Sequence, residues 1–266
     1  MDGILSSLPM YDLPELRPQT AALWQALAVA LRAAGVAAPD ELSSPDALAA
    51  HWRQPDLLLS QTCGYPLLSL PEHVRVVATP AYTAPGCEGA WYRSALVVHR
   101  DNPAADLEAL RGGVCALNNP DSNSGMNLLR ATIAPLAGGR PFFRDVVVTG
   151  GHAASLAAVG GGTADLAAID CVTLALLQAN RPALTAPMRV LGWTPAAPGL
   201  PLITAGDASL VEKLREALAV VAADPALAAV RRALLIDRFV VLPGDAYEVI
   251  RQLEHDAEIA GYPVLA

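Results

Sequence analysis

Apolar residues along this chain come in short unbroken runs, separated by longer stretches where they recur every third or fourth position. The first pattern is that of a strand buried on both faces, the second that of an amphipathic helix. The segments 3–10 (GILSSLPM), 55–61 (PDLLLSQ), 74–82 (VRVVATPAY), 93–100 (RSALVVHR), 114–118 (VCALN), 144–150 (RDVVVTG) and 164–170 (ADLAAID) read as strands. The last two strands are placed at 188–194 (MRVLGWT) and 201–206 (PLITAG). Helices are expected over Pro18–Gly35, with Leu23, Leu27, Val29 and Leu31 facing inward, from Ser124 onward, over His152–Val159 and over 171–179. Three more, at Ala208–Ala223, Pro225–Leu234 and Asp245–Ala260, complete the chain. Buried strands alternating with helices predict an α/β protein with parallel sheets covered on both faces.

The strand ends are where this pattern becomes informative. In open α/β sheets ligands bind beyond the carboxyl ends of strands, at helix N-termini. Four such ends here are polar: 60–64 (SQTCG), 79–82 (TPAY), 118–125 (NNPDSNSG) and 149–152 (TGGH), and a fifth ends in Asp170. The turn Ser122–Asn123–Ser124–Gly125 opens a helix, where unpaired N–H groups carry a partial positive charge. Two hydroxyls and the Asn123 backbone make it an anion cradle without an arginine, and Gly125 lets a ligand approach the backbone closely. A well-capped helix with solvated serines explains the same residues. His152 after Gly150–Gly151 is either a donor to an oxyanion or a helix-start residue bonded to the backbone. Asp170 either caps the following helix or reads a donor group on a ligand.

Composition then removes whole classes of function. The net charge of −8 comes with no basic run, which argues against nucleic acid or an anionic membrane as partner. Residues 21–38, the most apolar stretch, are broken by Gln25 and Arg32, so no membrane insertion is expected. The N-terminal segment has no basic region followed by an apolar one, so it does not read as a signal peptide. Cys63, Cys87, Cys115 and Cys171 show no paired spacing, which points away from a metal site and toward buried, reduced thiols. A Cys63–Cys87 bridge is open to the chain in an oxidising compartment, since both fall at strand ends or loops.

Phosphate-loop, nucleophile-elbow and zinc-protease motifs are missing from the sequence. Lys213, the single lysine, lies in a polar helix, which makes a Schiff-base cofactor a poor fit. No cofactor and no metal are expected.

Taken in order, TPAY, the stretch from Asp106 through Gly112 (DLEALRG), Pro120–Gly125 (PDSNSG) and GGHAASLAAVGGGTADLA resemble the phosphonate/phosphite-type substrate-binding proteins of ABC transporters. The resemblance is strongest over residues 74–178. It implies a two-lobe type II periplasmic-binding-protein fold with two crossover strands. Lobe 1 would comprise 1–94 and 204–266, lobe 2 101–187, and the crossovers 95–100 and 188–203. On matching positions it implies that Tyr82, Ser122, Asn123 and Ser124 hold ligand oxygens while His152 donates to them. Tyr11, Gln61, Thr62, Cys63, Gly125 and Asp170 are expected to line the same interlobe cleft.

The function so implied is capture, without catalysis, of a small anionic or zwitterionic ligand: a phosphonate- or phosphate-like oxyanion, or a carboxylate. The partner would be an ABC permease, and the protein a monomer, periplasmic if a signal peptide has been removed and cytoplasmic otherwise. Relatives that bind aminophosphonates carry an acidic residue after the return strand, where this chain has GWTPAAPGLP. Two rivals share the fold. One is an intracellular enzyme with His152 as acid/base, Cys63 as nucleophile and Asp170 as orienter; the other is a cytoplasmic ligand sensor.

Overall fold

Leu57, Leu58 and Leu59 are all buried, so the strand Leu57–Gln61 must be covered on both faces. It lies second in a five-stranded sheet ordered Leu5–Ser6, Leu57–Gln61, Leu202–Thr204, Arg75–Tyr82, Ile236–Val240. A computed structural model describes residues 4–266, divided into two compact units, and this sheet belongs to the first: residues up to Thr83, Glu88–Ala90 and Pro198–Gly244. Of the strand expected over 3–10, residue 3 lies outside the described residues, and the observed strand is Leu5–Ser6. Only the pairing of Leu5–Ser6 with Leu57–Gln61 is parallel. The other neighbours run antiparallel, so the expected parallel sheet is here a mixed one.

The helix Arg17–Ala33 packs against Ala208–Ala223. It buries Leu23, Trp24, Leu27, Ala28 and Leu31, which share one stripe at a spacing of three and four. Val29, expected inward, is 64% exposed. It stands two residues from both Leu27 and Leu31, which places it about 200° around the helix from each neighbour in the stripe. The strand Ile236–Val240 is not among those expected. It is an edge strand with Asp237 and Arg238 exposed, so its alternation is too weak to read against the polar residues around it.

The second unit comprises Ala84–Cys87, Trp91–Ala197 and Asp245–Ala266. Its sheet is ordered Asp145–Val148, Val114–Leu117, Leu166–Asp170, Ser94–His99, Met188–Trp193. The first three strands are parallel, while Ser94–His99 is antiparallel to both its neighbours. Residues 94–99 and 188–193, expected near the crossovers, are thus paired strands of this sheet.

The second unit also claims a segment that the resemblance assigns to lobe 1. Residues 245–266 pack here through the helix Glu248–Ile259. Asn127 Nδ2 donates to the Ile250 carbonyl at 3.1 Å, Arg130 meets Glu254 at 3.2 Å, and the Phe142 and Phe143 amides donate to the Ala266 carbonyl. Those partners are far away in sequence, so no local pattern points to them. Among the described residues no helix is long and apolar enough to cross a membrane.

Candidate functional site

In the second unit the strand Val114–Leu117 delivers Asn118 to a turn that enters the helix Leu128–Ala137 through one π-helical turn, Asn123–Asn127. The π turn arises because the Met126 and Asn127 amides both donate to the Ser122 carbonyl, at 3.3 and 3.1 Å. Ser122 is the N-cap: its hydroxyl oxygen accepts from the Gly125 amide at 3.0 Å.

The capping explanation stops there. Ser124 Oγ lies 2.9 Å from His152 Nε2 and 3.3 Å from Ser122 Oγ. Asn118 Nδ2 donates to Ser122 Oγ at 3.1 Å and lies 3.4 Å from His152 Nε2. Four side chains from one strand end and two helix starts thus form a single polar cluster, with no lysine or arginine in it.

Gly125 takes its role from this cluster. A Cβ on it would come within 1.7 Å of Asn118 Oδ1, so the missing side chain makes room for the Asn118 amide. The sequence suggested that the space served an approaching ligand; in this structure Asn118 fills it. Asn118 is not among the expected site residues, although its position at a polar strand end was the signal that could have found it. Asn123 turns its side chain inward: Nδ2 donates to the Tyr92 hydroxyl at 3.0 Å and Oδ1 accepts from Asn127 at 3.1 Å. Only its backbone lies in the turn as expected.

His152 is a half-buried residue whose Nδ1 is sealed from solvent. Burial pushes its pKa down to about 4, only partly offset by the Ala168 backbone. In the unliganded chain the ring is therefore neutral at neutral pH. The same shift has a consequence for stability. The unfolded chain takes up the proton first as pH falls below the ordinary value of 6.5, so this contribution is intact above that value and lost on the way to about 4. The loss is at most about 3 kcal/mol. In thermal melts from neutral pH to about pH 4.5, the advantage of the native chain over His152→Gln should shrink as pH falls. Parallel curves would mean that the ring is not desolvated.

Asp170 does what the simpler of its two readings required. Oδ1 accepts from the Val172 and Thr173 amides at 2.8 and 2.9 Å, capping the helix Cys171–Asn180.

The first unit groups a second set of expected residues. Gln61 Nε2 donates to the Tyr82 hydroxyl and to the Leu200 carbonyl, both at 3.1 Å. Tyr82 meets Tyr11 edge to face with ring centroids 5.2 Å apart. Tyr11 holds a left-handed backbone, φ 62°, which is uncommon for an aromatic residue and marks an over-determined position. Thr62 is wholly buried and donates to the Cys63 carbonyl at 3.2 Å, while Cys63 is half-buried before the helix Gly64–Leu67.

Comparison with known proteins places the chain in a family. The model of the family described as ABC transporter, phosphonate, periplasmic substrate-binding protein matches residues 49–247, which include Gln61, Tyr82, the Ser122–Gly125 turn, His152 and Asp170. The chain belongs to this family. It is a substrate-binding protein of the ABC-transporter type, which binds a small molecule and works with a permease.

Solved structures agree in fold with this phosphonate-family binding protein. PhnD1 from Prochlorococcus marinus, in complex with methylphosphonate, aligns with a TM-score of 0.76 at 15% identity, covering 96% of this chain and 98% of its own. A binding protein component of an ABC phosphonate transporter from Pseudomonas aeruginosa aligns at 0.75 and 18% identity, covering 97% and 87%. A Xanthomonas citri protein bound to chloride aligns at 0.74 and 18% identity, covering 97% and 98%. At such identities the likeness concerns the fold, which is the two-lobe periplasmic-binding-protein architecture. No curated protein matches the chain by sequence.

Proposed function

We propose that the ligand is a small phosphonate- or phosphate-type oxyanion, and that Asn118, Ser122, Ser124 and His152 hold its oxygens. The observation that carries this is the Ser124–His152 contact at 2.9 Å, within a hydroxyl-rich cluster at a helix start. A capped helix has no use for a second serine bonded to an imidazole from another element. With the imidazole proton on Nε2, Ser124 accepts from His152 and turns its own O–H to the ligand, while Ser122, which accepts from Gly125 and Asn118, has its O–H within reach of Ser124 Oγ or the ligand. The helix N-terminus adds its partial positive charge without a cation.

Methylphosphonate, which PhnD1 binds, has no ammonium group. That suits a chain whose expected site carboxylate, Asp170, accepts helix-cap bonds at Oδ1. Tyr11, Gln61, Thr62, Cys63 and Tyr82 stay in this proposal as candidate ligand-binding residues on the first unit, and the protein acts as a monomer in the periplasm.

Titration calorimetry with methylphosphonate and with inorganic phosphate tests the reading. Ser124→Ala should weaken binding by roughly 1.5–3 kcal/mol, about 10- to 150-fold, the range for a hydrogen bond to a charged group. The empty protein should melt nearly as before, because Ser122 and not Ser124 is the cap. Unchanged affinity in Ser124→Ala, or no binding of either oxyanion by the native chain, would overturn the proposal.

A further inference from the structure

Cys87 and Cys171 stand with their sulfurs 3.4 Å apart, 84 residues apart in sequence, and neither has a part in the proposed ligand cluster. Cys87 is half-buried on the segment Ala84–Cys87; Cys171 is buried as the first residue of the helix Cys171–Asn180. Their approach is enforced by the backbone. Gly86, at φ +99°, lies so close that a Cβ on it would sit 3.0 Å from the Cys171 Cβ and 2.6 Å from the Trp193 ring. A side chain at 86 would push the segment off the helix and part the two thiols.

We propose that Cys87 and Cys171 are a thiol–disulfide exchange site, closed to an intramolecular disulfide by an oxidised dithiol protein or a small disulfide. A bond of about 2.0 Å needs the sulfurs to close by somewhat over 1 Å, within the reach of side-chain rotation. The more accessible Cys87 thiolate attacks one sulfur of the oxidant, forming a mixed disulfide and releasing one thiolate of the oxidant. The Cys171 thiolate then attacks the Cys87 sulfur, the second oxidant sulfur leaves, and the two thiol protons end on the released thiols. Two electrons pass from the cysteine pair to the oxidant. The order follows from exposure, and the Cys171 thiol is held well above the ordinary range by its bond to Cys87, by burial and by the Asp170 charge. The family's periplasmic setting is one where such bonds form and persist.

The bridge anticipated from sequence joined Cys87 to Cys63. The structure gives Cys87 a different neighbour. Tyr82 belongs to the first unit and Cys87 to the second, so the bond would fasten the chain where it enters the second unit.

The full chain, reduced and then held in a buffer rich in oxidised glutathione, should lose two alkylatable thiols. Peptide mapping should show Cys87 joined to Cys171, with Cys63 and Cys115 alkylated only as free thiols. The oxidised form should melt about 5–10 °C above the reduced one, since a loop of this length closes in the unfolded chain. Cys171→Ser should retain glutathione on Cys87, a trapped intermediate that a purely structural contact would not produce. A Cys63–Cys87 peptide, free thiols at both 87 and 171, or glutathione persisting on Cys87 of the native chain would each overturn the proposal. Mapping of the native chain decides the matter even where a variant fails to fold.

Discussion

Gly125→Ala is expected to cut affinity for methylphosphonate at least tenfold and to destabilise the empty protein by about 2–3 kcal/mol. The new methyl carbon would fall 1.7 Å from Asn118 Oδ1 and 2.6 Å from Asn118 Cγ, so the amide has to swing away. In doing so it loses its bond to Ser122 Oγ and its place beside His152 Nε2. Ser122 is the helix cap and Ser124 is the proposed ligand donor, which is why one methyl group affects stability and binding together. Asn118→Ala in the Gly125→Ala background separates the causes. If steric displacement of Asn118 is the fault, the double variant regains part of the stability, since the methyl now has room. A Gly125→Ala protein that melts and binds like the native chain would show that the Asn118 amide is not held in the cluster.

Arg130→Met is expected to destabilise the second unit by about 2–3 kcal/mol, the range for losing hydrogen bonds from a buried charged group whose ionic partner, Glu254, is 28% exposed. The Arg130 side chain is 6% exposed. Its guanidinium donates to the Pro263 carbonyl at 2.7 Å, to Asn127 Oδ1 at 2.8 Å and to Glu254 Oε1 at 3.2 Å. Methionine matches the length of the stem and satisfies none of these acceptors. The three partners connect the helix Leu128–Ala137, the π turn before it and the segment 245–266, so the loss should appear as early cleavage within 245–266 in limited proteolysis as well as in a urea melt. Arg130→Lys should recover only part, because an ammonium cannot span the three acceptors as a planar fork does. A loss below about 1 kcal/mol for Arg130→Met would mean that the helix Glu248–Ile259 is held by its apolar face alone.

Much of this protein is legible in its amino-acid order. The apolar runs at 57–61, 94–99, 114–117 and 166–170 all form strands, because a strand buried on both faces leaves an unbroken apolar run that few other elements produce. The order of TPAY, PDSNSG and GGH along the chain marks the family, which the match over residues 49–247 shows. The Ser122 cap at a helix start was legible as well, since caps and helix starts are made by neighbours in sequence.

What escapes the sequence depends on which surfaces dock. Strand Ile236–Val240 exists because Arg75–Tyr82 offers it an open edge, not because its own pattern demands it. Asp170 could equally have capped a helix or faced a ligand, and only the position of the Val172 and Thr173 amides chose the cap. Local sequence determined most of the strands and helices and the kinds of donor at their ends. The filling of the Gly125 gap by Asn118, the docking of 245–266 on the second unit and the meeting of Cys87 with Cys171 were decided by tertiary packing alone. Such contacts join residues whose spacing along the chain carries no period, and their geometry arises only when separate elements settle against one another.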